Sequence, residues 1–589
     1  MRARARVIAS RRALTLLCVP ACLAAAVLLT WPLARELGLA IPTVVPLPDA
    51  LMQAFILHWD LRTLFTHPLG VFDAPIFHPE PNTLTYMDSL LGETIVAAPV
   101  AVLTRNHAVV YNSVVLFSFV SSGWATYRLV RLLGVSGQGS FLCGLLYAFG
   151  PYRWCNMANL NLLQTELIPL GLFFAFRYLR DRRRGHLLAT GATLALQSYF
   201  SWYYTFYLAT ALLLLAAWEI AKGRLRWREC LGPPWLAAGL VTLALVLPGL
   251  APYLAQRASM PGFGRTIGMA AYASADLLDY LKINAENRTL GWLPTGDQPY
   301  FPGLVAAALA FWGWRAAFRR GPVARGTEAG SMATAARRAG PPPQPPAEAS
   351  YFALLGLSGL VLSLGPVLRV AGHRLWVPLP YAVLFYAVPG FSSMRAPGRY
   401  AVLVLMATVV LAGWGFDGLR RRLERSGGAA LLFPAALAAT LVTAWSVPWP
   451  LVPFPKHDQI PSVYAWLERQ PGDFAVLEVP VPLREADEGQ REVTRQIFAI
   501  YHQKPLVDGA SGFVSPSHRI FRMVMQRFPE ADAIRAARER GTRILIAHYG
   551  DWPPAVAGRL RLAADRAPGL RRVTQFGDDV AYEVVRPPG

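Results

Sequence analysis

Charge is what this sequence has least of. Of its 589 residues only 16% are charged, 54% are hydrophobic, and the mean hydropathy is +0.33. A soluble chain of this size carries about 25% charged residues. That deficit excludes an ordinary soluble domain, and long apolar runs separated by short charged ones indicate a polytopic membrane protein. Acidic residues are the scarcer sign: 57 Lys plus Arg stand against 36 Asp plus Glu, a formal net charge of +21. The basic residues cluster between apolar runs and form no basic face on a soluble unit. This fits the positive-inside bias of membrane loops and argues against nucleic acid as a partner. Cysteine is scarce too. Cys18, Cys22, Cys143, Cys155 and Cys230 lie in or beside apolar runs with no CxxC pair, so neither a disulfide framework nor a thiolate metal site is indicated. Walker A, dinucleotide-glycine and HExxH patterns are absent as well, which removes the support for a nucleotide or zinc enzyme.

What is present can be ordered by charge. Five arginines precede Ala13, and the apolar run to Trp31 is longer than the core of a signal peptide. It reads as a first span with a cytoplasmic N-terminus, placing residues 32–107 outside. Within that loop Ser89–Leu103 is short for a span, contains Glu93 and is interrupted by Pro99. Counting it as a span would move Arg128, Arg131 and the Arg180–Arg184 run outside, so it reads as a helix on the outer face. Spans are then expected near Ala108–Leu132, Phe141–Trp154, Leu160–Leu179, His186–Trp202, Tyr203–Ile220 and Trp235–Tyr253. Others follow near Phe301–Phe318, Tyr351–Val370, Tyr400–Leu419 and Ala429–Trp445. The fold class expected is thus an α-helical polytopic membrane protein of about eleven spans, over residues 1–450. Residues 321–350, with the run PPPQPP, read as a disordered cytoplasmic linker. After residue 450 the pattern changes: FAVLEVPVP, RILIAHY and VAYEVVR read as strands, SVYAWLERQ and FPEADAIRAARERG as helices. Residues 451–589 are expected to form a small extracytoplasmic α/β domain. The membrane is expected to be the plasma (inner) membrane, with membrane lipids as neighbours.

The candidate chemistry lies on the outer side. Asp49 opens the helix-like stretch ALMQAFILHWDLRTLF and reads either as a helix cap or as a carboxylate able to deprotonate an acceptor hydroxyl. Asp88, in YMDSLLGE, has the same two readings. In SSMRAPGRYAVL, Arg395 and Arg399 flank a Pro-Gly turn on a loop where positive charge runs against the inside bias; a phosphate suits them, and a lipid headgroup or an ion pair with Asp49 or Asp88 is the competing reading. Asn156, Asn159, Asn161 and Gln164 present amides suited to sugar or acceptor hydroxyls, or to interhelical bonds. SYFSWYYTFY is first an interfacial aromatic belt. His58, His67, His78 and His107 lack ligand spacing, so no metal site is assigned; a divalent cation held by carboxylates is the one cofactor left open.

These residues resemble a family. One span, an Asp-bearing outer loop, PIFHPEPNTLTYMDSLLGETIVAAP, AVVYNSVVLFSFVSSGWATYRLVRLLG and then FSSMRAPGRY make the chain similar to bacterial membrane proteins related to the GT-C-fold glycosyltransferases. These include YfhO-like proteins and relatives of protein O-mannosyltransferases and lipid A aminoarabinose transferases. The resemblance covers roughly Leu14–Trp445. It implies a polyprenyl-phosphate-linked sugar donor and an extracytoplasmic acceptor. Asp49 would then match the catalytic carboxylate and Asp88 the second acidic position, with Arg395 and Arg399 on the donor phosphate. The family acid usually comes as a pair or after glycine, whereas Asp49 follows Pro48 and precedes Ala50. The alternative is a transporter, or a lipid-handling or assembly protein without covalent chemistry, which would need ionisable residues along a path through the spans.

Overall fold

The structure is a computed structural model describing residues 17–43, 48–260, 263–296, 298–318, 347–483 and 489–586. Helix α1 (Leu17–Leu29) leads into a long loop that carries strand β1 (Ala40–Pro42) and helices α2 (Pro48–Thr66) and α3 (Leu91–Leu103). Then come α4 (His107–Leu132), α5 (Gly137–Ala148), α6 (Leu167–Asp181), α7 (Arg184–Phe200), α8 (Trp202–Ala221), α9 (Pro233–Ser259), α10 (Leu304–Phe318) and α11 (Glu348–Ser363). A hairpin, β2 (Val367–Val370) and β3 (His373–Pro378), and the short α12 (Pro380–Ala387) precede α13 (Ala401–Glu424) and α14 (Ala429–Thr443).

Among the described residues, five helical stretches are long and apolar enough to cross a bilayer: 107–132, 160–181, 202–221, 233–259 and 397–424. Shorter apolar helices, α1, α3, α10, α11 and α14, accompany them. At 13 residues α3 is well below the roughly 20 that a span requires. Small residues let the helices approach closely. A methyl group on Gly415 of α13 would lie 1.9 Å from the Leu309 carbonyl oxygen of α10, and one on Gly313 would lie 2.3 Å from that of Leu411. Gly144 of α5 meets the Gly123 carbonyl of α4 in the same way. With no hydrophobic drive between helices in lipid, such contacts supply the packing.

Loop-to-loop bonds gather several helix ends at one face. Asn284 Nδ2 donates to Ser446 Oγ at 3.2 Å, Arg288 N to the Trp445 carbonyl at 2.9 Å, and Trp449 N to the Trp31 carbonyl at 2.9 Å. There β1 pairs antiparallel with β4 (Leu451–Pro453), and Trp449 stacks on the fully buried Trp154 with centroids 5.0 Å apart.

Beyond β4 the chain forms α15 (Ser462–Glu468), β5 (Ala475–Val479), α16 (Gln490–His502), α17 (Pro516–Met525), α18 (Ala531–Glu539), β6 (Thr542–His548), α19 (Pro554–Arg566), β7 (Leu570–Phe576) and β8 (Asp579–Val584). The sheet order is β5-β6-β8-β7, with β5 and β6 parallel and the other pairs antiparallel. One face of this sheet has its own core, around Leu477, Leu545 and Tyr582. The other contributes Val476, Ile546 and, from α16, Ile497 to a cluster that also holds Phe55 of α2 and Tyr111 of α4.

Two expected spans are corrected. Tyr351–Val370 overruns the helix, which stops at Ser363, because the apolar residues beyond it belong to β2. Phe141–Trp154 breaks after Ala148, where Gly150-Pro151 ends one helix and starts a separate turn at Pro151–Trp154. The expected span at Leu160–Leu179 falls within the apolar stretch 160–181, with a local break at Gln164–Glu166. The linker reading falls largely on residues outside the described set, as do the arginines before Ala13.

Candidate active site

The break between α5 and α6 organises the site. Its turns bring residues 156–161 against α2 and against the loop before α3. Pro48 occupies the first position of α2, and Asp49 sits in the first turn, where a carboxylate complements the helix dipole. Asp49 is exposed, and its Oδ2 accepts from Asn159 Nδ2 at 3.3 Å. One helical turn on, at i+4 and therefore on the same face, Gln53 donates to Asn161 Oδ1 at 3.1 Å and accepts from Leu160 N at 3.1 Å. Asn161 in turn donates from Nδ2 to Asp88 Oδ2 at 2.8 Å. A three-residue segment thus ties both aspartates together.

Asp88 sits half-buried in an extended loop held from two sides. Leu90 N donates to Asp60 Oδ2 of α2 at 3.0 Å. Tyr253 of α9 donates its hydroxyl to the Met87 carbonyl at 2.9 Å and accepts from Ser89 N at 3.3 Å. Burial raises the Asp88 carboxyl above its ordinary value; the Asn161 bond, the charge of Arg399, Ser201 and the charge of Arg265 act against that rise without reversing it. Such a carboxyl sits closer to the pKa suited to proton transfer near neutral pH.

The arginines converge on Tyr203. The Arg399 guanidinium lies over its ring at 4.5 Å, and Arg395 N donates to its hydroxyl at 3.4 Å. Tyr152, in the same break that carries the asparagines, donates its hydroxyl to the Arg399 carbonyl at 3.2 Å. The Arg395 side chain is exposed. Arg265, which the sequence reading passed over, donates from its backbone N to the Ser392 carbonyl at 3.1 Å and from its side chain to the Gly512 carbonyl. It therefore joins the arginine loop to the C-terminal sheet unit.

The structure brings Asp49, Asp88, Asn159 and Asn161 together, with Arg399 and Arg265 close enough to act on Asp88. Two other candidates are turned away. Asn156 is buried and spends its amide on the Tyr152 carbonyl at 2.8 Å, while Gln164 is fully buried and donates to the Val114 carbonyl at 3.4 Å. Gln53 and Arg265 were missed although both carried a signal: Gln53 is one turn from Asp49, and Arg265 is a cation between apolar segments on the same side as Arg395. His58 and His107 pack edge to face at 4.5 Å, and among the described residues no three His, Cys, Asp or Glu side chains assemble as a metal-ligand set.

A scan against protein-family models finds no match, and neither does a search of curated proteins. Solved structures do match. The arabinofuranosyltransferase AftD from mycobacteria superposes with a TM-score of 0.57 at 14% identity, covering 96% of this chain and 40% of that one. ArnT from Cupriavidus metallidurans gives 0.46 at 12% identity, with 94% and 97% coverage. The oligosaccharyltransferase AglB from Archaeoglobus fulgidus, in complex with an inhibitory peptide and a dolichol-phosphate, gives 0.43 at 12% identity, with 98% and 74% coverage. The chain spans about 40% of the length of AftD. At this level of identity the likeness is one of fold: the chain has a GT-C-like fold, shared with AftD over 96% of its length.

Proposed function

We propose that this protein is an integral membrane glycosyltransferase that moves a sugar from a polyprenyl-phosphate donor to an extracytoplasmic acceptor. The observation carrying this reading is Asp88, half-buried on Asn161 in the field of Arg399 and Arg265, one short segment away from the exposed Asp49. Asp49, open to solvent, takes the proton of the acceptor hydroxyl. The acceptor oxygen bonds to the anomeric carbon as the bond from that carbon to the phosphate oxygen breaks. The electron pair leaves on the lipid phosphate, where Arg395 and Arg399 offset the developing charge. Asp88 orients the reacting groups and holds the arginine side of the site. The membrane is the plasma membrane, the helical layer crosses it in about eleven segments, and the β1–β4 face with the sheet unit lies outside.

The test is transfer from a labelled polyprenyl-phosphate sugar by protein in nanodiscs. Asp49→Asn is expected to lose about 10²–10⁴-fold in turnover, the usual contribution of a positioned general base. Turnover equal to that of the wild type would remove Asp49 from the mechanism.

A further inference from the structure

Hairpin β2–β3 is built unlike the rest of the helical layer. Leu375, Trp376 and Val377 are exposed, Trp376 by 78%. Trp376 also has a φ of 52°, in the left-handed region that bulky side chains rarely adopt. The hairpin is held rigidly. Asp276 accepts from Ala371 N at 3.0 Å and from Gly372 N at 2.7 Å, while Arg369 donates to the Tyr272 carbonyl at 3.0 Å. The segment it is pinned to carries exposed apolar side chains as well, Tyr272, Leu277 and Leu281. An apolar, aromatic patch is therefore displayed on a fixed support.

Its surroundings indicate what covers it. The hairpin starts four residues after the end of α11 and is followed by α12 and the arginine turn that opens α13, so both of its ends are tethered to the helical layer. His373 and the exposed Arg374 precede the apolar run Leu375–Val377 along β3. Asp276 is engaged with backbone N–H groups, and Asp279 pairs with Lys282 at 2.7 Å. Aromatic and aliphatic side chains next to a cation match the headgroup boundary of a bilayer, and Arg374, which pairs with no carboxylate among the described residues, matches lipid phosphate.

We propose that β2–β3 is an interfacial anchor. Leu375, Trp376 and Val377 enter the acyl boundary of the bilayer, and Arg374 pairs with phospholipid headgroup phosphate. The anchor sets the height of the Arg395–Arg399 turn above the membrane, a role independent of whether transfer occurs.

The experiment places a nitroxide on Trp376→Cys in the full chain, with the partly exposed Cys155 and Cys230 changed to serine, reconstituted in nanodiscs. Oxygen and nickel-chelate collisions are compared with labels at Leu243 on α9, as lipid reference, and Val573 on β7, as aqueous reference, both side chains being exposed. The oxygen-to-nickel collision ratio at position 376 is expected to approach that at Leu243. Label motion there should slow when phosphatidylglycerol replaces phosphatidylcholine, and Arg374→Gln should abolish that slowing. A ratio matching Val573 overturns the anchor. Dipolar broadening between labels on different copies would also overturn it, by assigning the patch to self-association. Motion unchanged by Arg374→Gln in both lipids overturns the phosphate contact.

Discussion

Asp88 and Asp60 lie 28 residues apart, and burial raises the carboxyl of each, against different partners. Asp88 is opened by Asn161 and the nearby arginine charges, whereas Asp60 is fully buried with a single N–H on one oxygen and none on the other. Burial pushes the Asp60 carboxyl up to about 8, against that one Leu90 bond. The group is therefore neutral when folded and charged when unfolded between its ordinary 3.8 and about 8, and the folded state binds the extra proton. Wild-type stability should fall as pH rises through that window. Asp60→Asn keeps an acceptor for Leu90 N and removes the slope. Melting curves in nanodiscs from pH 5 to pH 9 should show the variant gaining on the wild type as pH increases. At Asp88 the readout is kinetic. Asn161→Leu deletes a bond that favours the charged carboxylate, so its pKa rises further. The acid limb of a kcat/KM profile should then move to higher pH, with the alkaline limb unchanged.

Among elements, the helices were legible wherever charge marked their ends. The run Arg180–Arg184 straddles the α6–α7 junction and the group Lys222–Arg228 falls between α8 and α9, and hydropathy located the long apolar stretches. Hydropathy failed where an apolar sequence was not helical. Residues 367–370 continue the apolar character of α11, and only the Gly365-Pro366 step marks the change to a strand. The strands β5, β6 and β8 were readable because buried strands are short apolar runs between breakers. β7, LRRVTQF, was missed because an edge strand with outward-facing arginines lacks that signal. The site residues were half legible. Aspartates and arginines stand out in an apolar chain, but which asparagine faces them depends on the turns at Pro151 and Leu160, and no periodicity reports that. Glycine contacts offer a test at this scale. Gly415→Ala forces a methyl group into the Leu309 carbonyl, an overpacking expected to cost about 1–3 kcal/mol. Thermal aggregation followed by size-exclusion chromatography in detergent should show earlier loss of the monodisperse peak, whereas an alanine at Gly239, which has open space around it, should leave the peak unchanged.

For the whole molecule, the sheet unit is not an appendage. Its α16 packs against α2, and Leu506 exchanges backbone bonds with Pro75 and His78 at 2.9 Å. Glu80 of the first loop accepts from Ser515 at 2.7 Å and Ser517 at 2.8 Å and lies 3.5 Å from Arg540. Ending the chain after Pro450 would expose the α2 face of the shared core and leave Glu80 without those partners. The truncated protein is expected to aggregate on extraction from the membrane, checked by the monodisperse fraction in mild detergent. A stable, active truncation would instead make residues 451–589 an accessory.

That interlock also sets a schedule. The Asp49 and Asp88 segments leave the ribosome well before the residues that clamp their loop, Leu506, Gly512 and Ser515, which are made some 420 to 470 positions later. At about 5–20 residues per second, that interval is on the order of twenty seconds to a minute and a half. Throughout it, a loop rich in proline and apolar side chains waits without its lid, and any partner that shields nascent chains has its best opportunity there.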